Sequence, residues 1–92
     1  MVEFILQIKP KTEKYNLMLS QLKAAQKKAT KEEGCLSYVI FISDNGNILL
    51  HEKWQSQECL DVHLSLDYLS ELKRSMTENL VADFDKFSIH ED

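Results

Sequence analysis

The chain has 92 residues, the length of a single domain, and its 43% hydrophobic and 28% charged composition excludes a disordered or low-complexity polymer. Its net charge of −4, with no basic stripe interleaved with aromatics, disfavours a nucleic-acid binder. No apolar run approaches the roughly 20 residues that span a bilayer, and the N-terminus is too short and too alternating for a signal peptide, so a cytoplasmic protein away from membranes is the expectation.

The first predicted element is a strand. Val2, Phe4, Leu6 and Ile8 alternate with Glu3, Ile5, Gln7 and Lys9, leaving one strongly apolar face, and Pro10 closes it. Thr12 is placed to cap a helix in which Tyr15, Met18, Leu19, Leu22, Ala25 and Ala29 form an apolar stripe. Lys23, Lys27, Lys28 and Lys31 gather near its C-terminal end, where they suit the helix dipole and read as a solvated face. Gly34 is expected to end the helix at the position after its C-cap.

A second strand follows from Cys35 to Ser43. Strict alternation puts Leu36, Tyr38, Ile40 and Ile42 on one face and Cys35, Val39 and Phe41 on the other, so both faces are apolar and both need cover. Asn45-Gly46 predicts a tight hairpin with positive φ at both residues. The third strand, Asn47 to Gln55, sets Ile48, Leu50, Glu52 and Trp54 against Leu49, His51 and Lys53. Ser56 caps a short helix that brings Leu60, His63 and Leu64 to one side. Asp67 is read as a second cap, opening a stretch through Tyr68, Leu69, Leu72 and Met76. Phe84 to His90 alternates as a weaker last strand.

This order is the split βαβ, ferredoxin-like α+β plan, with a four-stranded antiparallel sheet and helices on one face. The uncovered face would be an exposed apolar patch, which a second copy packing sheet to sheet would bury, so a homodimer is expected.

Several residues could carry chemistry. Trp54 is either a core anchor or the wall of a pocket for a flat ligand. Glu52, an acid among apolar neighbours, lies at a wet edge, pairs with a lysine, or sits in a pocket as a base with a raised pKa. His63 is either a satisfied core histidine or a general acid/base. Tyr38 and Tyr68 either pack with their hydroxyls at a rim or offer phenols to the same space. Cys35 and Cys59 read as reduced thiols. No metal-ligand spacing, phosphate loop, dinucleotide fingerprint or nucleophile elbow occurs, so neither metal nor cofactor is expected.

Glu33-Gly34-Cys35-Leu36-Ser37-Tyr38, then Glu52-Lys53-Trp54-Gln55-Ser56 after a hairpin, then His63-Leu64 on a helix, resembles the antibiotic biosynthesis monooxygenase (ABM) family. The pattern is E-x-G-C-x-x-Y, E-x-W-x-S and a His-Leu pair. Quinol monooxygenases are among the relatives. The resemblance implies one ABM-like domain over residues 1–92 and a dimeric α+β barrel with one pocket per subunit. It implies oxidation of a small hydroxylated aromatic, quinol-like substrate without metal or flavin, with His63 and Glu52 as the catalytic pair and Trp54, Tyr38 and Tyr68 shaping the pocket. Many relatives carry a second histidine near the place of Tyr68, and several carry Asn or Arg on the first strand, where only Gln7 is a candidate. Two alternatives stay open: a non-catalytic dimer that binds a small apolar ligand, and an isomerase on the same scaffold. The isomerase would need a cationic phosphate site, and Arg74 is the only arginine.

Overall fold

A computed structural model describes all residues from Met1 to Asp92. Four strands, β1 (Val2–Ile8), β2 (Cys35–Ile42), β3 (Ile48–Trp54) and β4 (Asp85–Ser88), form one antiparallel sheet in the order β2-β3-β1-β4. Helices α1 (Tyr15–Ala29), α2 (Gln57–Leu64) and α3 (Asp67–Asn79) supply the second layer. This is the ferredoxin-like α+β plan that alternation and helical periodicity predict. No helix is long and apolar enough to cross a membrane.

The core follows from the alternation of the two central strands. Phe4, Leu6 and Ile8 of β1 and Ile48, Leu50 and Trp54 of β3 are buried against Met18, Leu22, Ala25 and Ala29 of α1 and against Leu60, Leu72 and Met76 of α2 and α3. Phe4 stands opposite Glu52, and Leu6 opposite Leu50, so the row of inward side chains runs unbroken across the sheet.

Local chemistry departs from the sequence expectation in several places. Thr12 does not cap α1. It opens a short 3-10 turn, Thr12–Lys14, and α1 then starts at Tyr15 without a side-chain cap. The helix also stops at Ala29, with Thr30 as its C-cap, well before Gly34. Gly34 instead turns the chain into β2 with φ +80°, and a Cβ there would lie 2.4 Å from Cys59 Sγ. Its conformation and the close approach both require glycine. In the hairpin only Gly46 has positive φ. The Ser43 carbonyl accepts from Gly46 N–H at 3.0 Å, and Asn47 closes the loop on Ser43, which makes a longer turn than the expected two-residue one. Asp67 is the first residue of α3, and Leu66 holds the capping position.

The largest departure is a bulge in β2. Cys35 pairs with Trp54 but Ser37 pairs with Lys53, so one residue of β2 has no opposite number. Strict alternation would put Leu36 beside Tyr38. The bulge turns Cys35 to the inner face and leaves Leu36 52% exposed.

The outer face of the sheet carries no helix. Val39, Phe41 and Phe87 are exposed there. Gln7 lies on that face as well, hydrogen-bonded to Asp85 of β4, and so points away from the helices.

Candidate functional site

Glu52, Tyr38 and His63 converge on one space. The first two are neighbours across the β2–β3 ladder, and both point toward the helices. Ser56 accepts the Cys59 N–H and fixes the start of α2. The helix then carries Leu60 and His63 inward, while Leu64 is partly exposed. His63 is 1% exposed, Tyr38 3% and Glu52 5%.

These three side chains form the polar side of a cavity of about 180 Å³. Its other walls are Phe4 and Leu6 of β1, Leu50 of β3, Leu69, Leu72 and Met76 of α3, and Phe84. The volume is enough for an aromatic ring, since an apolar cavity of about 150 Å³ admits benzene. Lys73 of α3 and Lys86 of β4 also line it.

Trp54 and Tyr68 are placed differently from the pocket walls that the sequence suggested. Trp54 is wholly buried behind His63, with ring centroids 4.4 Å apart. It touches the cavity only through others: its indole N–H donates to Glu52 Oε1 at 3.0 Å. Tyr68 lies on the far side of His63, next to Lys28, and its hydroxyl donates to Glu32.

Glu32 is the polar residue that the sequence reading passed over. It lies in the irregular turn between α1 and β2, where neither period applies. Its Oε1 is 2.8 Å from His63 Nδ1, and its other oxygen accepts from Tyr68. A carboxylate at Nδ1 requires the imidazole to carry its proton there. Nε2, on the other side of the ring, faces Glu52 Oε1 at 3.8 Å, longer than a hydrogen bond. The signal was in the E-x-G-C pattern itself, whose acid, counted back from Gly34, is Glu32 rather than Glu33.

The electrostatics are set chiefly by burial. Desolvation pushes the Glu52 carboxyl up from its ordinary value, against the Trp54 hydrogen bond and the nearby His63 and Lys86, which favour the anion. Desolvation and the Glu52 charge hold the Tyr38 phenol well above the usual range, so it stays a neutral hydroxyl. Tyr68 is raised by desolvation and by its hydrogen bond to Glu32. The site therefore offers a carboxyl whose pKa burial raises, an imidazole hydrogen-bonded through Nδ1 to a carboxylate, and a neutral phenol around an apolar chamber. No group of three or more His, Cys, Asp or Glu side chains is arranged to hold a metal ion.

No curated protein matches the sequence. Solved structures match its fold closely. A crystal structure of an antibiotic biosynthesis monooxygenase superposes with a TM-score of 0.91 at 21% identity, covering 100% of this chain and 99% of the other. Rv0793 from Mycobacterium tuberculosis gives a TM-score of 0.91 at 22% identity, covering 98% of this chain and 93% of the other. A conserved protein from Methanosarcina mazei gives 0.90 at 20% identity, with 99% and 92% covered. At these identities the likeness concerns the fold. The sequence model of the antibiotic biosynthesis monooxygenase family matches residues 1–75, which include Glu32, Tyr38, Glu52, Trp54, His63 and Tyr68, and the chain belongs to that family.

Proposed function

We propose that this chain is a cofactor-independent monooxygenase that oxidises a small hydroxylated aromatic, quinol-like in type, inside the cavity beside His63. One observation carries the reading: an apolar chamber the size of a ring is lined by His63, whose Nδ1 lies 2.8 Å from the Glu32 carboxylate.

The chemistry needs a base, a proton donor and a dry space. His63 takes the phenolic proton at Nε2, and Glu32 stabilises the imidazolium from the other side. The electron-rich phenolate passes one electron to dioxygen, and the radical pair closes a bond between a ring carbon and oxygen. Glu52, kept toward its neutral form by burial, protonates the resulting peroxide. The O–O bond then breaks: one oxygen stays as a ring carbonyl, the other leaves as water, and the hydrogen of the attacked carbon leaves as a proton. Two electrons from the phenolate and the two of the broken C–H bond thus reduce one dioxygen, giving a quinone and one water. Tyr38 lines the chamber as a neutral hydrogen-bond donor to the substrate oxygen. Trp54 acts from behind, orienting Glu52 and stacking on His63.

The test is oxygen uptake with a panel of quinols, with product mass read in labelled dioxygen. The reading expects uptake and one labelled oxygen in the product. Ligand-induced thermal stabilisation without any uptake would identify a binding module instead.

The same reading includes a homodimer. Leu36, Val39, Phe41 and Phe87 leave large apolar side chains exposed, three of them on the outer sheet face, and a second sheet would cover that face. Sedimentation at micromolar concentration should show a dimer that Phe41→Glu weakens; a well-folded monomer at that concentration contradicts it.

A further inference from the structure

The polar groups of the cavity lining divide by burial. Glu52, His63 and Tyr38 are buried. The exposed part of the lining includes Lys73, on α3, and Lys86, on β4. Every other lining residue is apolar. Two cations on the lip of an apolar chamber are conspicuous in a chain of net charge −4.

Neither lysine forms a salt bridge, although Lys86 lies near enough to Glu52 to favour its anion. The one lysine ion pair in the molecule joins Lys9 to Asp85 at 3.3 Å. The remaining charge pairs are His51 with Glu3, and His63 with Glu32 and Glu52. Lys86 is also held in place. Its ammonium sits 4.5 Å from the centroid of the Phe4 ring, and Phe4 is itself a cavity wall. An apolar wall beneath an unpaired ammonium favours a ligand whose charged group leaves the chamber where its ring ends. A neutral ring would fill the chamber and leave both cations in water, with nothing gained from them.

We infer that the substrate of this site is a hydroxylated aromatic carrying an anionic arm, a carboxylate in the simplest case, with the phenol at Glu52 and His63 and the arm between Lys73 and Lys86. This rests on the reading of the cavity as the substrate site. It makes the two lysines specificity residues that set orientation: the arm at the lip decides which end of the ring reaches His63. Partly exposed ion pairs contribute modestly, so the expected preference is about tenfold in affinity rather than absolute.

The experiment compares two probes, a hydroquinone bearing a propanoate arm and the same hydroquinone bearing the neutral propanamide. Binding to the full chain is measured by calorimetry without oxygen. The wild-type protein should bind the acid about tenfold tighter than the amide, and the preference should shrink as salt rises. In the double variant Lys73→Gln, Lys86→Gln the ratio of the two affinities should fall to near one, with the fold checked by circular dichroism. Equal affinities in the wild type, or a preference that survives the double variant, overturn the inference while the cavity remains a ligand site. Binding of neither probe overturns the inference and removes the cavity as the place of chemistry.

Discussion

The molecule contains two histidine–glutamate pairs, and they differ in what the second ring nitrogen meets. His51, on the outer sheet face, has Nε2 at 2.6 Å from Glu3 and Nδ1 at 2.8 Å from Ser37 Oγ. Both nitrogens are satisfied by neighbours on the strands beside it, in a half-buried position on the sheet face that no helix covers. His63 has its Nδ1 on Glu32, while Nε2 is left beside Glu52 and the cavity. Glu3 meets His51 alone, whereas Glu32 also accepts from Tyr68. What separates the two pairs is that Nε2 of His63 lies beyond hydrogen-bond distance of Glu52 and that the ring lines an apolar cavity.

The largest expected effect breaks that comparison directly. His63→Gln, which fills similar volume, should lower quinol-dependent oxygen uptake by on the order of 10²-fold or more, the usual contribution of a general base. His51→Gln should stay within about twofold of wild type, because surface substitutions away from a site change little. Equal losses in the two variants would end the distinction.

Glu32→Gln sharpens it. The amide can still bond to His63 but no longer stabilises the imidazolium. A fall in kcat of on the order of tenfold, with KM nearly unchanged, marks a group that acts in the transition state through His63. A change in KM alone would reduce Glu32 to a packing contact.

Two glycines give a comparison of stability. Gly34→Ala places a methyl against Cys59 and strains a residue at φ +80°, in the turn that carries Glu32. Gly46→Ala strains a residue at φ +86° with open space around it. Urea unfolding should show a loss of about 2–4 kcal/mol for the first and about 1–2 kcal/mol for the second. Similar losses would mean that the turn yields to Cys59 without cost.

The smallest effect is the pH dependence of Glu52. A carboxyl raised by burial binds its proton more tightly in the folded chain than in the unfolded one, so its contribution to stability falls as pH rises through the unfolded value toward the folded value. Glu52→Gln keeps an acceptor for Trp54 and removes that dependence. Relative to wild type, the variant should gain stability between acid and neutral pH, and the gain should vanish below about pH 4, where both states of Glu52 are protonated. A gain independent of pH would point to packing instead.

The order of elements could be read from residues because periods of two and of 3.6 leave different marks, as in Val2–Ile8 and in the stripe from Met18 to Ala29. The meeting of Glu52, Trp54 and His63 was legible for the same reason: one strand face and one helix face had to turn to the same interior. Alternation has no way to announce a bulge, so it puts Leu36 on the wrong face. Glu32 escaped because it lies in a turn, where no period applies and only tertiary contact shows its use. Tyr68, expected to share one space with Tyr38, lies on the other side of His63, since spacing along α3 does not fix the direction of a side chain.

A crystal structure with a hydroxylated aromatic soaked in the absence of oxygen tests the central claim most directly. The account predicts a ring seated between Phe4, Leu50 and Met76 with its hydroxyl within hydrogen-bond distance of His63 Nε2 or Glu52. A ring bound on the outer sheet face, or an empty chamber at saturating ligand, would contradict it.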